Sequence, residues 1–182
     1  MKTVILISAI AEWKAVKPMF PYAKINHVPY GECLNVTLGT WNLEHFHCGS
    51  GKIASARAIQ YLIVRYSPDR IINLGTCGGL EGVVQQGEII LVDQTYVCNI
   101  LELMGDLDIA TPYASYLDLD WLPEPYPHPA RRGMLASADS DLPPEKIHFL
   151  KEKRNRRRLG IRCIGMGRAK EQHAFVDPAR RK

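Results

Sequence analysis

Two glycine-rich turns are the segments of this chain best suited to do chemistry. Gly75-Thr76-Cys77-Gly78-Gly79 follows the short apolar run at 70–74. A strand that runs into such a turn places backbone amides and a hydroxyl at the carboxyl end of a sheet, where open α/β sheets bind ligands. Cys48-Gly49-Ser50-Gly51-Lys52 lies between a strand-like and a helix-like segment. Its glycines let the backbone turn tightly, and a helix start points free N–H groups into the space beyond it. The first glycine of a Walker A loop is missing at its required spacing. By itself each turn also fits a purely structural connection. His45 and His47 alternate along one strand, and no third ligand is spaced to join them around a metal.

The elements that must position these turns follow from hydrophobic period and punctuation. Residues 3–9 read as a buried strand. Residues 12–20 could start a helix, which Pro18 and Pro21 interrupt. Residues 34–38 and 41–48 read as a hairpin around Gly39-Thr40. The clearest helix is predicted over 52–66, with Ile53, Ala56, Ile59, Ile63 and Tyr66 as its apolar stripe and Ser67-Pro68-Asp69 as its stop. Residues 70–74 form a short strand. Residues 88–98 form a longer one whose continuous apolar run suits burial on both faces. Residues 105–130 lack a period, and Pro123, Pro125, Pro127 and Pro129 force an extended loop. A strand at 133–138 and a helix at 143–153, opened by Asp141, complete the predicted elements. No element is predicted beyond Lys153.

Composition narrows the function classes. The 182 residues suit one domain that buries its own core. A hydrophobic fraction of 46% and a charged fraction of 23% are those of a soluble globular protein, and no apolar run is long enough to cross a bilayer. The amino-terminal run ending in Ala9-Ile10-Ala11 has the outline of a secretory signal, but a short β-branched run reads better as a first strand. Five cysteines, an odd number without Cys-x-x-Cys spacing, argue against a disulfide framework or zinc site and for a reducing, cytoplasmic compartment. Residues 151–182 hold 12 Lys and Arg against 3 Asp and Glu, whereas residues 1–150 hold 11 against 16. The body is mildly acidic and the tail strongly basic, so RNA binding would rest on the tail alone, around Arg154–Arg158.

The order of the motifs is more specific than any one of them. Ser8-Ala9-Ile10-Ala11-Glu12 is followed by Gly49-Ser50-Gly51-Lys52 and then by Ile71-Ile72-Asn73-Leu74-Gly75-Thr76-Cys77-Gly78-Gly79-Leu80. Gly87-Glu88-Ile89-Ile90-Leu91-Val92-Asp93 and Ser137-Ala138-Asp139 come next. In this order they resemble the nucleoside phosphorylase and nucleosidase family, and within it the methylthioadenosine/S-adenosylhomocysteine nucleosidases. The resemblance covers about residues 3–153.

The resemblance implies a three-layer α/β/α fold with a mixed central sheet, altered or truncated at its carboxyl end. It implies that Thr76, Cys77 and Gly78 lie beside the sugar and base, that Ser50 faces the 5′ substituent and that Ile10 is a further substrate-binding position. It places Ser140, Asp141 and Leu142 against the purine, with Asp141 where family nucleosidases usually carry an aromatic ring. A carboxylate after the first strand activates water in such nucleosidases. Glu12 is the carboxylate available here, one residue earlier than the family's glutamate, with Trp13 at the family position. It is equally a solvated residue of a helix start. Family phosphorylases hold phosphate with an arginine where this chain has Asn73, and with another after strand one, where it has Ala11-Glu12-Trp13-Lys14. Water is therefore the expected nucleophile, with phosphorolysis and a catalytically impaired nucleoside-binding remnant as the alternatives.

Past residue 153 the family continues with a Glu-Met-Glu helix start and a later Ser-Asp, and neither is legible here. Read one base later, codons for Cys163-Ile164-Gly165-Met166-Gly167-Arg168 can spell Ala-Ser-Glu-Trp-Glu. The expectation is a domain over 1–153 and a divergent basic tail over 154–182, read as frameshifted or decayed coding, with a divergent tail of genuine function as the alternative. The expected function is hydrolysis of the N-ribosidic bond of a purine nucleoside, with no cofactor or metal. The expected partners are the small-molecule nucleoside and, by family resemblance, a second subunit in a homodimer, with no membrane and no nucleic acid.

Overall fold

A computed structural model describes residues 1–97, 114–138, 148 and 161–165. The chain divides into two compact units, 1–75 and 76–182.

The first unit is built on β1 (Lys2–Ile7), whose alternate residues both face apolar surroundings. It lies between β4 (Trp41–His47) and β5 (Arg70–Asn73), parallel to both. Two further strands, β2 (Ile25–Val28) and β3 (Gly31–Leu38), extend the sheet antiparallel, in the order β2-β3-β4-β1-β5. Helix α1 (Ile10–Val16), continued by a 3-10 turn at Lys17–Met19, packs on one face. There Trp13 is buried with Ile7 and Leu34, flanked by Ile5, Val16 and Phe20. Helix α2 (Lys52–Tyr66) packs on the other, where Ala58 and Leu62 meet Val4, Leu6, Cys33 and Phe46. A β-strand points successive side chains to opposite faces, so β1 serves both layers and this unit is a helix–sheet–helix sandwich.

The second unit holds a five-stranded sheet in the order β6-β10-β9-β7-β8. These strands are β6 (Gly78–Gly79), β7 (Ile89–Val97), β8 (Ala114–Tyr116), β9 (Ala130–Ser137) and β10 (Ile161–Gly165). The three central strands are parallel, and both edge strands run antiparallel to their neighbours. No helix among the described residues is long and apolar enough to cross a membrane.

The predicted helix 52–66 has the observed bounds, but three residues of its predicted stripe, Ile53, Ala56 and Ile63, face outward. Ile53 is 86% exposed and Ile63 45%, and Ala56 is exposed too. The inward residues are Ala58 and Leu62, with Ile59 and Tyr66 half-buried beside them. Ser55 belongs to this inward stripe, because its hydroxyl meets Ser8 Oγ at 3.3 Å and Cys48 Sγ at 3.7 Å. A polar residue at that position hides the stripe from a hydrophobicity pattern.

Other elements differ in kind. β2 and β8 arise where no strand was predicted. β10 corrects the expectation of no element after Lys153. β7 is half-buried along its length, not covered on both faces. The predicted helix at 143–153 lies outside the described residues, apart from the helical residue His148.

Candidate active site

The candidate residues of the first unit converge on the carboxyl edge of its parallel strands. β1, β4 and β5 run the same way, so the segments after Ile7, His47 and Asn73 leave from one edge. The Leu74 amide donates to Leu6 O at 2.9 Å, which continues the β1–β5 pairing up to Gly75.

Glu12 is the third residue of α1. Its Oε2 accepts from the Ala9 amide at 3.2 Å, capping the first turn. A Cβ added to Gly75 would lie 3.1 Å from Glu12 Oε1 and 3.3 Å from Oε2. The carboxylate therefore rests against the glycine that opens the Gly75–Gly79 turn, and only the absence of a side chain there allows this approach. Ile10, at the start of the same helix, is 54% exposed.

Ser50 is exposed in the turn between β4 and α2. Gly49 and Gly51 have φ of 79° and 102°, which favour glycine and swing the chain from the strand into the helix. Beneath the turn, Cys48 Sγ contacts Gly49 O at 3.3 Å, and Ser8 Oγ lies 3.7 Å from Cys48 Sγ. This polar cluster ties the Ser50 turn to the end of β1. It was not singled out in the sequence, although Ser8 and Cys48 each border a glycine- or alanine-rich turn.

In the second unit, Thr76 and Cys77 are half-buried. Gly78 and Gly79 are held as a strand, with Gly78 opposite Ile164 and Gly79 opposite Cys163 of β10. A cavity of about 10 Å³ lies beside Cys77, Gly79, Val84 and Ile90, room for about one water. A wider depression of about 480 Å³ is lined by Gly82, Val83, Val84, Gln85, Glu88 and Arg131. Arg131 is fixed there by Glu88 at 2.9 Å and by Val83 O at 3.2 Å. Among the described residues, none of the predicted substrate positions lines it. Ser140, Asp141 and Leu142 lie outside the described residues.

Electrostatics divide the reactive groups of the first unit. Burial and the neighbouring Glu44 push the Cys33 thiol up to about 12, which leaves it un-ionised and inert. Burial also raises Glu44 and lowers His45, in each case by disfavouring the charged form. Glu32 is held low, first by the hydrogen bond it accepts from Trp13, with Lys17, His27 and His47 adding to it. Among the described residues, no group of three or more His, Cys, Asp or Glu could hold a metal ion.

Parallel strands that end in glycine turns at one edge of an α/β sheet form the kind of edge where open α/β sheets bind ligands. The family model described as the Phosphorylase superfamily matches residues 3–174, and the chain belongs to that superfamily. Its fold is the nucleoside phosphorylase-like α/β fold. The chain is similar to a 5′-methylthioadenosine/S-adenosylhomocysteine nucleosidase of Tolumonas auensis, 37% identical over 46 residues. That match spans 25% of this chain and 20% of the relative's length. Among solved structures it is similar to S-adenosylhomocysteine nucleosidase from Streptococcus pyogenes in complex with 5-methylthiotubericidin. There the TM-score is 0.72 and the identity 18%, over 92% of this chain and 74% of that one. It is also similar to the Neisseria meningitidis 5′-methylthioadenosine/S-adenosylhomocysteine nucleosidase in complex with methylthio-immucillin-A. In that case the TM-score is 0.69 and the identity 15%, over 92% and 76% of the two chains.

Proposed function

We propose that this protein hydrolyses the N-ribosidic bond of a purine nucleoside with a 5′-thio substituent, such as 5′-methylthioadenosine or S-adenosylhomocysteine. The observation that carries this reading is the Glu12 carboxylate lying against Gly75 at the carboxyl end of β1 and β5. Glu12 takes a proton from water, and the water oxygen bonds to C1′ of the ribose. The C1′–N9 bond breaks, and its electron pair leaves with the purine, which takes up a proton. Positive charge on the ribosyl group in the transition state is the same demand that glycoside hydrolysis makes. A base within hydrogen-bond reach of the water meets it. Thr76, Cys77 and Gly78 receive the sugar and base, Ile10 and Ser50 the 5′ side, and Ser140, Asp141 and Leu142 the purine. The working form in this reading is a cytoplasmic homodimer without cofactor.

Asn73 favours water over phosphate, because phosphate as nucleophile calls for a cationic clamp at that strand end. A second reading, a nucleoside-binding protein without turnover, is favoured by the bond Glu12 makes to the Ala9 amide, a purely structural task for a carboxylate. Release of free adenine from methylthioadenosine, measured with and without phosphate, tests all three. Phosphate-independent release supports hydrolysis. Release that requires phosphate overturns it in favour of phosphorolysis. Binding of adenine or the nucleoside without release leaves the non-catalytic reading. A Glu12→Gln variant should lose about 10²-fold or more in kcat.

A further inference from the structure

Helix α1 carries Glu12, yet it is only seven residues long. A helix of that length has little stability of its own, so something outside it must set its rotation about its axis. Successive residues of a helix differ by about 100° around that axis, so a modest rotation would swing Glu12 away from Gly75. Trp13 is the one buried side chain of α1, fully enclosed between the helix and the sheet.

Three contacts fix the Trp13 ring. Its Nε1 donates to Glu32 Oε2 at 2.7 Å. Its face stacks on His47, with ring centroids 5.7 Å apart and an interplanar angle of 11°. Lys17 Nζ lies 5.9 Å from the ring centroid on the cation–π side. Glu32 and His47 are directly opposed across the antiparallel pair β3–β4, so both contacts are set by the same sheet register. Lys17 Nζ also lies 3.9 Å from Glu32 Oε2, and His27 Nδ1 3.8 Å from Glu32 Oε1. The carboxylate is thus held from several sides while it accepts the indole proton. A charge-assisted bond of that length has about twice the strength of a neutral one and is directional.

We infer that Trp13 is a positioning residue, and that the Trp13–Glu32–His47 clamp sets the rotation of α1 which presents the Glu12 carboxylate at Gly75. This inference rests on the reading of Glu12 as the group that activates water. The clamp belongs to this chain's own sequence: Trp13 adjoins Glu12 directly, and Glu32 and His47 come from the paired strands β3 and β4.

The test combines kinetics with a measurement that needs no turnover. Adenine release from methylthioadenosine is compared for the native chain, Glu12→Gln, Trp13→Phe, Glu32→Leu and the double variant Trp13→Phe/Glu32→Leu. Trp13→Phe keeps an aromatic ring on His47 and removes only the N–H, so it preserves the packing. Each clamp variant should lower kcat by about tenfold, the scale of one hydrogen bond to a charged group, with KM within about twofold. The double variant should be no worse than the weaker single one, because both remove the same bond. In parallel, backbone amides of residues 10–16 should exchange hydrogen about tenfold faster in either clamp variant, with α2 amides unchanged. Equal acceleration in α2, or no acceleration in α1, overturns the clamp, as does a loss in Glu12→Gln that neither clamp variant shares. If Glu12→Gln or the native chain shows no effect or no activity, the hydrolytic reading fails. The exchange data then decide on their own whether the clamp orients α1.

Discussion

The two faces of β4 are built to different ends. Toward α2, Phe46 joins Val4, Leu6, Cys33, Ala58 and Leu62 in an apolar cluster. Toward α1, the same strand offers His45 and His47, with Phe20 4.9 Å from the first and Trp13 stacked on the second. The α2 face has broad burial and little direction. The α1 face buries less and fixes more, because ring stacking and the Trp13–Glu32 bond constrain angle as well as distance. The difference teaches that the α2 layer holds the unit together, while the α1 layer aims a side chain.

The largest effect should therefore come from the α2 side and appear in stability. Leu62 is fully buried in the cluster, and Leu62→Ala should cost about 3 kcal/mol through lost transfer energy and the cavity left behind. Ile53→Ala, on the same helix but 86% exposed, should change stability by less than about 0.5 kcal/mol. Urea unfolding of the two variants checks the contrast. Equal losses would show that α2 is rotated relative to the sheet from the arrangement described here.

That contrast also marks how far the fold could be read from sequence. The bounds of α2 were legible because a three- and four-residue period ends at Ser67-Pro68-Asp69, and Ser67 adopts the left-handed conformation that closes the helix. Its inward face was not legible, because Ser55 interrupts it and Ile53 and Ile63 advertise the opposite one. Gly78-Gly79 reads as a turn, since glycine has no strand preference. Its pairing with β10 comes from a segment more than 80 residues away. The same holds at the candidate site. The types Glu12, Ser50 and Thr76 could be picked out from local pattern, but the approach of Glu12 to Gly75 depends on the parallel register of Leu6 opposite Asn73. No local pattern encodes that register.

The second effect in size tests the approach itself. Gly75→Ala places a methyl group 3.1 Å from Glu12 Oε1, closer than ordinary contact allows. The carboxylate must shift by a few tenths of an ångström, and a base displaced from its water loses rate steeply. The expected result is a fall in kcat of about tenfold with unfolding free energy changed by less than about 1 kcal/mol. A stability loss with unchanged kcat would place Gly75 with the α2 side of the comparison, as packing, and separate it from the aiming of Glu12.

The smallest effect separates the two faces by pH. Glu44 and His45 are neighbours on β4 that point to opposite layers, and both are buried without a partner for one polar atom, Oε1 and Nδ1 respectively. Burial raises the folded-state Glu44 above the ordinary carboxylate range, with the Cys33 and Asn35 side chains drawing it part of the way back. The folded state therefore binds this proton more tightly than the unfolded chain. The Glu44 contribution is fully present below the ordinary range and is lost as pH rises through the folded value. For His45 burial lowers the folded value, so the unfolded chain binds the proton more tightly. Its contribution is present above the ordinary imidazole range and is lost as pH falls through the folded value. Glu44→Gln should remove the first slope and raise stability near neutral pH by about 1 kcal/mol. His45→Leu should flatten the second slope on the acid side. Unfolding measured across pH 4 to 8, about the span between the two ordinary ranges, should show the native chain least stable where the loss from Glu44 on rising pH meets the loss from His45 on falling pH. A Glu44→Gln variant that keeps the fall of stability on rising pH would show that the α2 face carries its charge elsewhere and that the opposition does not arise at β4.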